Sequence, residues 1–151
     1  VADGSLYRHF KSKEELAWYL FEVNLKEYTS TLLAKVLAVR DARERIRIFV
    51  EESFAACEKN PTLFYYLILS EHRELARFTQ DYIHPGNIVQ QVVAEGQASG
   101  ELRSGEAEIL FSIILGSAHR LCVRRARDQV KLPLTELAGE LSESIWRSVK
   151  A

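Results

Sequence analysis

The sequence has 151 residues, which is enough for one domain with its own hydrophobic core. Its 47% hydrophobic and 27% charged residues are ordinary for a globular protein, and 7 Gly and 3 Pro are few for an all-β fold. The formal net charge of −1 excludes a general attraction to nucleic acid, so any contact with DNA has to be local.

The two cysteines, Cys57 and Cys122, lie in apolar stretches. They indicate buried, reduced thiols in a cytosolic protein, with a disulfide or a metal site as the alternative. No signal peptide precedes them, and the longest apolar run, 109–115, is too short to span a bilayer, so we expect a cytoplasmic protein with no membrane partner. The chain begins with Val1 and contains no Met, which predicts that its front end is missing.

The first predicted elements are a short helix over 5–10 and a long helix that begins at Lys13. Ser12 followed by Glu15 forms a capping box for the long helix. Apolar residues extend this helix to about residue 38, namely Leu16, Leu20, Val23, Leu32 and Val36.

The next two helices are marked by their caps. Asp41 with Glu44 opens a helix that ends at Asn60, and Asn60 with Pro61 in the first turn opens the following one. The run TLFYYLIL in that helix is apolar on every side, which predicts burial all round.

The second half of the chain is predicted to be helical as well. A helix from about Glu74 is expected to break or kink at 84–86 and to continue to Gly100, which suits a helix C-terminus. Ser104 opens the most apolar helix, and Pro133 begins the last one. No segment alternates with the period of a strand, so the sequence predicts an all-α fold of about seven helices.

Residues 4–15 combine a short helix with the capped start of a long one. Helix N-termini attract phosphate through their free amides and the helix dipole. Lys13 adds a positive charge there, and Tyr7 and His9 add hydrogen-bond donors. This pattern suits the backbone of a DNA duplex. The alternative is a solvated helical hairpin in which Tyr7 and Phe10 are core residues.

The stretch VADGSLYRHFKSKEEL, residues 1–16, resembles the end of the DNA-binding helix-turn-helix of the TetR/AcrR family of transcriptional regulators. The family pattern has Val, a variable pair, Gly, Ser or Thr, then Leu-Tyr-x-His-Phe. It continues with Lys-x-Lys-Glu-x-Leu at the head of the fourth helix. The matching residues are Val1, Gly4, Ser5, Leu6, Tyr7, His9, Phe10, Lys11, Lys13, Glu14 and Leu16.

The resemblance implies a set of DNA contacts. We expect the intact protein to make them, because the family has two further helices before this point and a recognition helix is positioned by the helix packed across it. Arg8 is the candidate for reading a guanine, and Asp3 is expected to cap the helix rather than to contact a base. Leu6 and Phe10 are expected to hold the recognition helix in place. The implied DNA-binding residues are Asp3, Gly4, Ser5, Tyr7, Arg8, His9 and Lys13.

The resemblance also divides the chain into residues 1–16, the C-terminal part of the DNA-binding domain, and residues 17–151, a ligand-binding and dimerisation domain. AEGQASGELR at 94–103 resembles the family's link into its first dimerisation helix, which implies a homodimer built by the last two helices. Small residues at 116–118 and two apolar stripes support this interface, with a monomer as the alternative. The expected interface residues are Leu110, Ile113, Ile114, Ser117, Leu121, Leu137, Leu141 and Ile145.

Aromatic residues are dense between positions 49 and 82, a region in which the family encloses a small-molecule pocket. Core packing is the alternative explanation for each of them. His72, Arg73 and His119 are the possible polar anchors, and Trp18 and Tyr19 are possible walls. The expected ligand-binding residues are Phe54, Phe64, Tyr65, His72, Phe78, Tyr82, Phe111 and His119.

Residues 119–131 form a basic run relieved only by Asp128. A second nucleic-acid site is one interpretation. We favour the other, in which these cations lie near a helix C-terminus and face Glu136, Glu140 or Glu143.

The resemblance implies a repressor that a small-molecule effector releases from operator DNA, with two recognition helices about one helical turn apart. The alternative is a helical small-molecule-binding and dimerisation module that does not bind DNA. An enzyme is not expected, because the chain has no Glu-x-x-His pair, no metal-ligand spacing of its cysteines and no Gly-rich phosphate loop. We therefore predict neither a metal nor a cofactor.

Overall fold

The computed structural model describes residues 9–78 and 82–151, apart from the side chain of His72. The described chain is all-α, as the sequence predicts. None of its helices is both long and apolar enough to cross a membrane. The elements are α1 (Lys13–Val36), α2 (Ala42–Lys59), α3 (Pro61–Glu74), a 3₁₀ helix (Leu75–Arg77), α4 (Pro85–Ser99), α5 (Ala107–Ala126) and α6 (Leu134–Val149).

Three of the predicted helix starts are confirmed by their caps. The side-chain oxygens of Ser12, Asp41 and Asn60 each accept a hydrogen bond from the amide three residues later, at 2.8–3.1 Å. These bonds satisfy amides that have no partner inside the helix. At the other end of α4, Gly100 has a φ of 78°, a left-handed conformation that glycine adopts without a steric penalty.

The region between α3 and α4 differs from the prediction. Within the described residues no α-helix begins at Glu74, because α3 ends there and the short 3₁₀ helix follows. The next helix begins at Pro85, where a residue without an amide hydrogen fits the first turn. The imidazole Nδ1 of His84 accepts a hydrogen bond from the Gly86 amide at 3.2 Å and so caps α4. The predicted kink is therefore a helix start.

Two further local predictions are corrected. Ser104 does not cap α5, which begins after Glu106 without a side-chain cap. In α1, Leu20 and Val23 are 44% and 42% exposed, so they do not belong to its buried face. The residues of the buried face recur every three or four positions, whereas the predicted apolar residues leave a gap of about two turns between Val23 and Leu32. The buried face consists of Phe21, Leu25, Thr29, Leu32 and Val36.

Helix α2 lies at the centre of the fold and packs against every other α-helix of the described chain. Its residues Phe49, Val50 and Phe54 are fully buried, as their helical spacing predicts. Cys57 of α2 and Cys122 of α5 are buried, free thiols in the same core. A second, smaller apolar cluster joins the first half of α1 to α3. The long helix α1 thus packs against the rest of the fold through α2, α3 and α4.

Candidate ligand site

A small cavity lies where α1, α3, α5 and the start of α4 meet. Its volume is about 10 Å³, which is close to the space that one water molecule needs. Apolar side chains form most of the wall, and three polar groups face it. The lining residues are Leu25, Tyr28, Phe64, Leu67, Ile68, Glu71, Pro85 and His119.

His119 is the polar group that α5 contributes to this cavity. Its ring stands edge-to-face against Phe64, with the ring centroids 6.3 Å apart. The Nε2 atom is buried and has no hydrogen-bond partner within the described residues. Burial lowers the pKa of His119 to about 4, so the imidazole is neutral at neutral pH.

Tyr28 brings a hydroxyl group to the cavity from α1. This hydroxyl lies 2.6 Å from the Ser53 hydroxyl, which itself donates to the carbonyl oxygen of Phe49 at 2.7 Å. Ser53 has one hydrogen and gives it to Phe49, so Tyr28 is the donor in the pair. Burial raises the pKa of Tyr28. The ring of Tyr28 meets Phe64 edge-to-face with a centroid distance of 5.1 Å.

Glu71 also lines the cavity, and its carboxylate lies near His84, the residue that precedes α4. The Glu71 carboxylate is 4.0 Å from Nδ1 of His84, and both side chains are mostly buried. Burial lowers the pKa of His84, and its Nδ1 already accepts the bond from the α4 amide. His84 is therefore neutral and serves the helix start.

A larger groove opens to solvent between α1, α2 and α3, next to the cavity. It has a volume of about 400 Å³, within the range of small-molecule sites. Tyr28, Phe64 and Leu67 line both the groove and the cavity, so these three side chains separate the two spaces. The rim of the groove is polar and is formed by Asn24, Glu27, Thr31, Glu52, Lys59 and Asn60.

The structure brings together two of the predicted ligand-binding residues at this site, Phe64 and His119. Phe78 and Tyr82 stack on each other with a centroid distance of 4.0 Å, in the separate cluster between α1 and α3. Phe54 is fully buried in the main core. Tyr65 is half-buried and lines neither space.

The remaining candidates are placed as follows. Phe111 is partly buried against the main core, near the start of α4. Trp18 belongs to the second cluster and Tyr19 is 48% exposed, so neither is a wall of the cavity. The side chain of His72 lies outside the described residues, and Arg73 is paired with Glu74 at 2.7 Å.

Sequence reasoning missed Tyr28 and Glu71. Tyr28 continues the spacing of Phe21 and Leu25 along one face of α1, so a correctly drawn stripe would have placed it inward. Glu71 lies in the polar last turn of α3, and no local pattern in the sequence places it beside the same cavity as His119 of α5.

Of the predicted DNA-binding residues, His9 and Lys13 are described and both are exposed. Lys13 is the first residue of α1, directly after its cap Ser12. The others lie outside the described residues, namely Asp3, Gly4, Ser5, Tyr7 and Arg8.

The predicted dimer residues divide into two groups. Leu110, Ile114 and Ile145 are at most 2% exposed in the single chain, so they belong to its own core and are not available to a partner. They lie on the inward faces of α5 and α6. The other predicted interface residues lie on the outer faces of the same two helices. Those half-buried residues are Ile113, Ser117, Leu121, Leu137 and Leu141.

The predicted position of the basic run at a helix C-terminus is confirmed for Arg124 and Arg125, which lie in the last turn of α5, but the partner of Arg125 is not an acidic residue of α6. Arg125 bonds to Glu58 of α2 at 2.8 Å, and the same carboxylate accepts the Leu134 amide at 2.8 Å. Lys131 pairs with Asp128, and His119 of this run points into the core. The run therefore joins α2 to the α5–α6 connection.

The sequence and the fold are similar to those of known proteins. No protein-family model matches the chain. The sequence is 24% identical over 148 residues to the fatty acid metabolism regulator protein of Bacillus subtilis strain 168, covering 95% of this chain and 76% of that protein.

Two solved structures resemble the fold. A protein of unknown function from Rhodococcus sp. RHA1 has a TM-score of 0.77 at 18% identity, covering 100% of this chain and 80% of that one. The transcriptional regulator FadR from Bacillus subtilis, solved in complex with stearoyl-CoA, has a TM-score of 0.73 at 20% identity, covering 96% and 81%. The chain therefore has the all-helical fold of FadR-type transcriptional regulators.

Proposed function

We propose that this chain belongs to a DNA-binding transcriptional regulator of the TetR/AcrR type, a repressor that an acyl-CoA-like effector releases from its operator. The observation that carries the proposal is a groove with an apolar floor along α1, the helix whose first turn ends the TetR-like motif at 1–16. The relative from Bacillus subtilis is a regulator of fatty acid metabolism, and the FadR structure contains stearoyl-CoA.

The proposed DNA-binding part is 1–16, and the proposed effector and dimerisation part is 17–151. In the first part, the exposed Lys13 and His9 are assigned to the phosphate backbone, beside a helix N-terminus whose dipole favours anions. Ser5, Tyr7, Arg8, Asp3 and Gly4 complete this proposed surface through the resemblance alone.

The proposed effector site is the groove together with the inner cavity. An acyl chain suits the apolar floor formed by Tyr28, Leu63, Phe64 and Leu67. The polar rim suits a solvated head group, since such sites combine an apolar body with a few polar contacts. Stearoyl chains are long, so the two spaces must merge to hold one.

The proposed coupling runs through α1. Its residues Leu25 and Tyr28 line the cavity, and its first turn carries Lys13. A ligand that fits only one position of α1 shifts the population towards that position and so changes the spacing of the two DNA-reading helices.

A homodimer is part of the proposal. Ile109 is 53% exposed and lies beside Ile113, Gly116 and Ser117 in a shallow apolar groove along α5. Apolar surface of this kind marks an interface, and we assign the half-buried Leu137 and Leu141 of α6 to the same interface.

The test uses the full-length regulator. DNA sites are selected from a random duplex library, and their affinity is measured with and without stearoyl-CoA. We expect a near-palindromic site whose binding is lost with stearoyl-CoA, and a ligand-dependent rise in melting temperature of about 5–10 °C at saturating ligand. A rise in melting temperature without any selected DNA would support the non-DNA-binding module instead. If no DNA site is selected and stearoyl-CoA also fails to raise the melting temperature, the proposal is contradicted.

A further inference from the structure

The Nε2 atom of His119 is a buried polar atom without a hydrogen-bond partner in the described chain. Buried polar groups are bonded in the great majority of native structures, so each exception calls for an explanation such as a bound molecule. His119 faces the cavity beside the proposed effector groove, which makes the effector the first candidate for its partner.

The neighbouring polar groups are already occupied. The hydroxyl proton of Tyr28 goes to Ser53, and Pro85 has no amide hydrogen to offer. Phe64 presents only its ring to the imidazole. Glu71, the remaining polar residue of the lining, has interactions of its own and lies 4.0 Å from His84.

Only side chains separate the space beside His119 from the groove. The cavity of about 10 Å³ is too small for a ligand group of any size. Rotation of Tyr28, Phe64 or Leu67 would merge it with the groove of about 400 Å³, because these residues line both. A chain that enters from the groove would then end at the imidazole.

We propose that His119 is a specificity residue, and that the preferred effector is an acyl chain carrying a hydroxyl or keto oxygen on the part that reaches the inner cavity. The proposal rests on the proposed function and adds the chemistry of the chain itself. A neutral imidazole has one N–H donor and one acceptor nitrogen, so it pairs with either kind of oxygen. A plain hydrocarbon chain at the same place would leave Nε2 unpaired.

Discrimination by such a group is asymmetric. A site built to form a hydrogen bond disfavours the analogue that lacks the bonding atom, because its own polar group is then left buried and unsatisfied. We therefore expect an oxygenated chain to bind at least about tenfold more tightly than the matching saturated chain.

The experiment compares three ligands by isothermal titration calorimetry. These are stearoyl-CoA, the same thioester with one mid-chain hydroxyl, and the same thioester with an ω-hydroxyl. The wild-type protein should prefer one hydroxylated ligand, and His119→Phe should lose or reverse that preference because phenylalanine has no bonding nitrogen. Tyr65→Phe is the matched control, since Tyr65 lines neither space, and it should keep the wild-type preference.

A second measurement does not depend on the variant. The ¹⁵N resonance of His119 Nε2 in the wild-type protein should shift on addition of the preferred hydroxylated ligand, beyond any shift with stearoyl-CoA. Equal affinities for all three ligands with no such shift would overturn this inference and leave the proposed function standing. Absence of binding by all three would instead overturn the proposed effector class, and this inference with it.

Discussion

Two single residues carry much of the proposed behaviour, one at the start of α1 and one beside its middle. Lys13 is exposed at the first turn of α1, and His119 is enclosed by α1, α3 and α5. The first can exchange its solvent contacts for phosphate contacts at little desolvation cost. The second is neutral because burial disfavours its charged form.

Lys13→Ala in the full-length regulator should weaken binding to operator and to random DNA alike. Each dimer carries two copies of Lys13, so the variant loses two phosphate contacts, and the magnitude of the slope of log affinity against log salt should fall by about 1.8. Lys150→Ala is the matched control, since Lys150 is an exposed lysine at the opposite end of the chain. An unchanged affinity and slope for Lys13→Ala would contradict its assignment to phosphate.

His119 should make the protein sensitive to acid. Its pKa falls from 6.5 to about 4 on folding, so below pH 6.5 the unfolded chain binds a proton that the folded chain does not. Stability is then lost as the pH falls, by about 2 kcal/mol from this residue between roughly pH 7.5 and pH 5.

Urea unfolding of wild type and His119→Phe at the two pH values isolates this contribution. The variant should lose about 2 kcal/mol less than wild type on acidification. His9→Phe serves as the control, because His9 is exposed. Identical pH dependence of wild type and His119→Phe would mean that the imidazole is protonated equally in both states.

At the scale of elements, helices α5 and α6 each have an inner face towards the core and an outer face away from it. The inner face is fully buried in the single chain, with Leu110, Ile114 and Ile145 in the core. On the outer face, Gly116 has open space where a Cβ atom would lie. Small residues allow the close approach of a second helix, so Gly116 lies where two copies of α5 would cross.

Gly116→Arg should therefore abolish the dimer. Light scattering after size-exclusion chromatography should give about 35 kDa for wild type, twice 17.3 kDa, and about 17 kDa for the variant. Gly139→Arg is a matched control, because Gly139 is also a helical glycine with open space but lies on the face of α6 towards α2. Both changes should preserve the monomer fold, since arginine favours a helix more than glycine does. Dimers in both variants would refute this interface.

At the scale of the whole molecule, α1 belongs to both proposed functions. It packs on α2, α3 and α4, and it carries the cavity-lining Leu25 and Tyr28 as well as the first turn at Lys13. One rigid helix of 24 residues is long enough to transmit a movement at its middle to its start. Any effect of the effector on DNA binding must then be reciprocal.

This reciprocity provides a quantitative prediction. The factor by which stearoyl-CoA weakens the affinity for the selected DNA should equal the factor by which that DNA weakens the affinity for stearoyl-CoA. Fluorescence anisotropy measures the first factor and calorimetry on the DNA complex measures the second. A non-cognate duplex of equal length should produce no coupling, and unequal factors would imply direct competition with a third species or an incomplete binding scheme.

Much of the architecture follows from local chemistry in the sequence. Ser12, Asp41 and Asn60 cap their helices because a side-chain oxygen there satisfies free amides within three residues. The burial of Phe49 and Phe54 follows from their spacing along α2. The all-α class and the start of each of these helices were therefore predictable.

Only the tertiary structure decided which residues meet. The cavity joins His119 to Tyr28 across 91 positions of sequence, and no local pattern encodes the packing angle that brings them together. Long-range packing also chose Glu58 over the acidic residues of α6 as the partner of Arg125. Long-range packing likewise buried Leu110 and Ile114 in the core and left Ile113 half-buried at its edge. Local periodicity determines which face of a helix is apolar, but only the assembled fold determines what that face contacts.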